Sequence, residues 1–113
     1  MTLLPASIKV GPMRYRVITD REAMHEERYD SGDGDLKGRV NFHALTITLD
    51  TKLPHDALAD TLLHEVRHAI HRHTGCDDIE KFVEEDFVNR TNAMYLAVLR
   101  ENPELVAFLV SEE

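Results

Sequence analysis

The chain carries one cysteine, Cys76, in 113 residues, so no disulfide can close within it. That usage suits a reducing compartment. Basic residues are in the minority: 13 Lys and Arg against 21 Asp and Glu give a net charge of −8. No basic stripe is present to hold a phosphate backbone, and nucleic acid is not an expected partner. No run approaches the ~18 apolar residues of a membrane helix. Met1-Thr2-Leu3-Leu4-Pro5 has neither the charged start nor the long apolar stretch of a signal peptide. The expectation is a cytoplasmic protein without membrane association. Internal repeats, linkers and low-complexity segments are also missing, which leaves a single domain over residues 1–113 with one modest core.

What is present is concentrated in Thr61-Leu62-Leu63-His64-Glu65-Val66-Arg67-His68-Ala69-Ile70-His71. The run contains HExxH, formed by His64, Glu65 and His68. Residues four apart on a helix stand one turn above one another on the same face, so His64 and His68 can aim two imidazole nitrogens at one point. Two such nitrogens are half of what tetrahedral zinc requires. Glu65 lies beside them, placed to deprotonate a water. Leu58, Ala59, Leu62, Val66, Ala69 and Ile70 cluster on one side of the same helix, and His64, His68 and His71 fall on roughly the opposite side.

Along the rest of the chain, Ile8-Lys9-Val10 and Met13-Arg14-Tyr15-Arg16-Val17 alternate around Gly11-Pro12 and predict a hairpin. Asp20 can cap a short helix through Glu22, Ala23, Met24 and Glu27. Asp30-Ser31-Gly32-Asp33-Gly34-Asp35 spells a solvated turn. A calcium loop beginning at Asp30 would need Gly and Glu where Asp35 and Asn41 stand. Residues 39–49 predict one strand containing His43, with Leu45, Ile47 and Leu49 alternating with Thr46 and Thr48. After a turn at residues 50–52, Pro54 suits the first turn of the histidine-bearing helix, which should stop at Gly75. Cys76, following Gly75, is expected to be a small loop residue rather than a further ligand. A second long helix is expected from residue 77 or 78 to 101, with an apolar stripe of Phe87, Thr91, Met94, Tyr95 and Val98. Pro103 opens a short last helix carrying Leu105, Val106, Phe108 and Leu109. The predicted architecture is α+β, a small antiparallel or mixed strand layer packed on two long helices.

A catalytic zinc needs a third protein ligand. The continuation HExxHxxGxxH would require Gly at 71 and His at 74, where the chain has His71 and Thr74. The next helix offers Glu84 and Glu85. With the stripe centred between Phe87 and Thr91, Glu84 lies about 40° from its centre and Glu85 about 140°. A carboxylate on an apolar face needs a partner, and a metal ion is one. Glu84 is therefore the predicted third ligand.

Thr46-Ile47-Thr48-Leu49-Asp50, then Leu62-Leu63-His64-Glu65-Val66-Arg67-His68-Ala69-Ile70, then Glu84-Glu85, resembles the compact ImmA/IrrE-like metallopeptidases. It is most similar to the minimal phage-type zincins among them, as is the ending Val98-Leu99-Arg100-Glu101-Asn102-Pro103-Glu104-Leu105. The resemblance covers most of the chain after residue 39 and implies a gluzincin-type site. His64 and His68 would hold zinc, Glu65 would be the general base, and a downstream Glu would complete the ligands. The expected function is hydrolysis of a peptide bond in a peptide or protein substrate. A group is also needed to stabilise the tetrahedral oxyanion. His43, His71, His73 and Tyr95 are candidates, with His71 able instead to orient the site and His73 expected at the surface. Two other readings stay open: a non-catalytic or regulatory zincin-fold binding module, possibly phage-derived by the same resemblance, and metal-dependent hydrolysis of a non-peptide substrate.

Overall fold

The computed structural model describes residues 3–19, 37–76 and 84–112. The expected helix after Asp20, the acidic turn after Asp30 and the start of the second long helix lie outside these residues. Within them the chain runs β1 (Ser7–Val10), β2 (Met13–Ile18), β3 (Gly38–Asn41), β4 (Thr46–Leu49), α1 (His55–His73), α2 (Glu84–Glu101) and α3 (Pro103–Val110). The class is α+β, with a four-stranded mixed sheet in the order β1-β2-β4-β3.

β1 and β2 form the expected hairpin, with Ile8 opposite Tyr15 and Val10 opposite Met13. Gly11 takes the turn at φ +59°, a conformation that costs a residue without Cβ little. β2 then pairs in parallel with β4, placing Val17 beside Ile47. Because strand side chains alternate, Ile8, Val10, Tyr15, Ile47 and Leu49 share the face toward the helices. All five are fully buried. α1 covers this face with Leu62, Val66, Ala69 and Ile70.

The strand expected over residues 39–49 is two strands. β3 and β4 pair antiparallel, Gly38 opposite Leu49 and Asn41 opposite Thr46. β4 is buried on both faces, Thr46 and Thr48 included, and Asn41 ends β3 before it. Its Oδ1 accepts from the backbone N–H groups of His43 (3.0 Å) and Ala44 (2.9 Å). A side chain that bonds its own backbone two residues on makes a turn of its own. Leu45, at φ 55°, completes the reversal. His43 thus occupies the tip of a hairpin rather than the body of a strand.

α1 begins after Pro54 and ends at Thr74 as its cap, with Gly75 beyond at φ +74°. That is the left-handed stop that glycine accommodates. α3 follows Asn102, whose side chain turns away from the helix it precedes. Its Oδ1 accepts from Lys9 N (2.8 Å), and its Nδ2 donates to the carbonyls of Lys9 (2.8 Å) and Val98 (2.7 Å). The amide behaves as an extra peptide unit on the outer edge of β1. With that edge held, β3 is the other margin of the sheet. His55 Nε2 reaches Ser111 O at 2.9 Å, tying the start of α1 to the end of α3. No helix among the described residues is long and apolar enough to cross a membrane.

Candidate metal centre

Three consecutive physical facts put chemistry on α1. First, a helix with a buried stripe of Leu58, Leu62, Val66 and Ile70 must present its other side outward. His64 and His68 lie on that outer side, exposed, with their Nε2 atoms 3.0 Å apart. Two zinc-bound imidazole nitrogens in tetrahedral geometry lie ~3.3 Å apart, from Zn–N of ≈ 2.0–2.1 Å. The pair therefore needs a shift of only a few tenths of an ångström to share one cation. The donor set is borderline-soft nitrogen, suited to zinc.

Second, α1 comes unusually close to β3. A Cβ on Gly38 would lie 2.6 Å from Thr61 Cγ2 and 3.4 Å from Glu65 Cγ. Contact at this depth exists because position 38 has no side chain.

Third, that approach buries Glu65, at 7 % exposure, beside the two histidines. Burial pushes its carboxyl pKa up, while the His64 and His68 imidazoles and the Val40 backbone N–H, which donates to it, pull it back. The result is a buried carboxyl group at the margin of the sheet whose pKa stands above its usual value.

On the other flank stands a second group. Arg67 Nε donates to Tyr95 Oη at 3.0 Å, and Tyr95 Oη lies 2.9 Å from His71 Nε2. The ring of His71 also meets that of Phe87 edge-on, at 5.0 Å between centroids. Phe87 at His71 and Tyr95 at Arg67 mean that α2 runs back along α1. Of the expected oxyanion candidates, His71 and Tyr95 are thus engaged with each other.

His73 is not the surface histidine expected. It is half-buried and its Nε2 lies 2.7 Å from Tyr15 Oη. Burial, then the Arg72 charge, lower its pKa. Tyr15, fully enclosed under the sheet, is raised by burial, with Arg72 opposing. The pairing could not be foreseen because its partner is 58 residues away. His43 is exposed at the β3–β4 turn. Cys76 is a buried loop residue just past the helix stop, its Sγ toward Thr74 O at 3.6 Å.

Among the described residues no third His, Cys, Asp or Glu joins His64 and His68. Glu84 opens α2 one turn before Phe87, and its side chain lies outside the described residues. Glu85 is exposed, and Thr91 is buried with Phe87 and Tyr95 half-buried, so the inward face of α2 has the phase expected. Val88 is an exception to it at 45 % exposure. Sequence reading overlooked Arg67, although its position one residue before His68 and four before His71 places it on the same outer side of α1. No family model, characterised protein or solved structure matches this chain.

Proposed function

We propose that the chain is a zinc-dependent metallopeptidase of the minimal zincin kind, hydrolysing a peptide bond in a peptide or protein substrate. The observation that carries the reading is the conjunction on α1: two imidazole Nε2 atoms 3.0 Å apart, with a buried carboxylate of raised pKa between them and the sheet edge. A structural metal site has no use for such a base.

In this reading His64, His68 and Glu84 would hold zinc, which when bound would supply a Lewis acid to acidify a water and polarise a carbonyl. Glu65 takes the water's proton and delivers it to the departing amine. The Val40 N–H and the packing of α1 against Gly38 keep the Glu65 carboxylate from rotating away. Placement on a helix and a strand, rather than on a loop, gives the base a fixed direction.

The test is hydrolysis of a broad peptide library by zinc-loaded protein, with Glu65→Gln as control. Cleavage by the wild type that disappears in the variant supports the reading. A zinc-loaded wild type that cleaves nothing favours the binding-module alternative.

A further inference from the structure

Arg67, on the outer α1 face, has its Nε–H engaged while its charge meets no carboxylate among the described residues. Helical geometry places Glu65 and Arg67 about 80° to either side of the line midway between His64 and His68. Glu65 faces the β3 margin, and Arg67 faces α2. The Arg67 Nε–H is donated to Tyr95 Oη. The tautomer of His71 that carries its hydrogen on Nδ1 leaves Nε2 to accept from the Tyr95 hydroxyl. In this arrangement Tyr95 has spent its hydrogen on His71 and is not the donor for a developing oxyanion. Arg67 has not: its two terminal amino groups have no partner among the described residues. A guanidinium is permanently charged, planar, and pairs with oxyanions through two parallel hydrogen bonds. Fixing one edge through Nε removes part of the rotamer entropy that an exposed arginine would otherwise lose on binding.

We propose that Arg67, oriented by the Tyr95–His71 pair, holds a negatively charged oxygen of the ligand beside the His64/His68 centre. The inference rests on the metallopeptidase reading and names the group that reading lacks. Arg67 is the anion-holding residue, and Tyr95 and His71 are positioning residues that act through it. The oxygen belongs either to the reacting carbonyl or to a carboxylate that the substrate carries nearby.

Inorganic phosphate is the probe, titrated against the full chain in metal-free, zinc-loaded and cobalt-loaded forms. Calorimetry reports affinity in all three, and the visible absorption of cobalt reports whether the anion reaches the metal. Zinc affinity is measured separately by competition with a chelator. Arg67→Ala should weaken phosphate binding to the metal-loaded protein by about tenfold or more, as loss of a charge-assisted pair does. Zinc affinity should be unchanged. Arg67→Lys should restore part of the loss, and Tyr95→Phe should weaken phosphate several-fold while leaving the charge in place. An Arg67 effect confined to the metal-loaded forms, with a cobalt spectral change, assigns the oxygen to the reacting centre. The same effect in metal-free protein assigns it to a substrate carboxylate. Phosphate affinity indifferent to Arg67→Ala, or absent from the metal-loaded wild type, overturns the inference. So does loss of zinc in that variant, because Arg67 would then be supporting the histidines. Failure of the wild type to bind stoichiometric metal overturns the metallopeptidase reading itself.

Discussion

Tyr15 Oη and His73 Nε2 meet at 2.7 Å under the sheet, joining β2 to the last turn of α1. With its hydrogen on Nδ1, neutral His73 accepts the hydroxyl hydrogen at Nε2; once protonated, the same nitrogen donates to the Tyr15 oxygen instead.

That pair predicts a pH window. His73 has a folded pKa lowered below its usual 6.5 by burial and the Arg72 charge, so as pH falls below about 6.5 the unfolded chain takes up the proton first, and stability is lost down through the folded value. Tyr15 has a folded pKa above 10.0, so above that pH the unfolded chain ionises first and stability falls again. Between the two the contribution is flat. Tyr15→Phe should cost about 1 kcal/mol, typical of a single hydrogen bond. His73→Gln should instead flatten the acidic limb of a Tm-against-pH curve, because it removes the group whose charging is disfavoured by burial and the Arg72 charge. An unchanged acidic limb in His73→Gln would remove His73 as its cause.

Gly38→Ala places a methyl where Thr61 Cγ2 already stands, 2.6 Å away. Overpacking of this kind costs about 1–3 kcal/mol. Thr61→Ser removes Cγ2 and keeps the hydroxyl that bonds Ala57 O at 2.8 Å. The double variant should recover most of the loss, and a coupling energy near zero in urea denaturation would show that the two sites do not meet.

Glu65→Gln should make the metal-free protein more stable at pH 7 than the wild type. A carboxyl whose folded pKa is raised by burial contributes stability at low pH that is lost as pH rises through that pKa. The amide carries no charge to desolvate and does not titrate. Thermal melts of both forms at pH 4 and pH 7 are the check: the difference should grow with pH, and a constant difference would mean that burial does not set the shift.

Zinc should bind one per chain. His64→Ala should abolish stoichiometric metal, measured by elemental analysis after desalting, since one imidazole cannot replace the pair. Glu84→Gln should weaken zinc by orders of magnitude in a chelator competition and Glu85→Gln should change it little, because Glu85 lies on the exposed side of α2. Loss of metal in the Glu85 variant instead would rotate the helix assignment by one residue.

The histidine pair, Glu65 beside it, the buried stripe of α1 and the stop at Gly75 were all legible in the sequence, because each depends on residues within a few turns of one another. Helical periodicity of about 3.6 fixes which of them share a face before any partner is known. The β1–β2 hairpin was legible for the same reason. Residues 39–49 were misread as one strand because alternation is local while the break depends on a single side chain, Asn41, choosing its own backbone over the ladder.

The tertiary structure decided what has no local signature. A glycine at 38 reads as a weak strand residue until α1 is laid against it, and only then does its missing Cβ explain how Glu65 becomes buried beside Val40. His73 and Tyr15 are 58 residues apart, and no periodicity links them. Arg67 and Tyr95 belong to different helices, so the fixed guanidinium on the flank of the histidines follows from the way α2 returns along α1. Sequence set which histidines share the outer face of α1, because a spacing of four is a property of one helix. Packing set how Glu65 is buried and how Arg67 is held, because those are properties of the distances between elements.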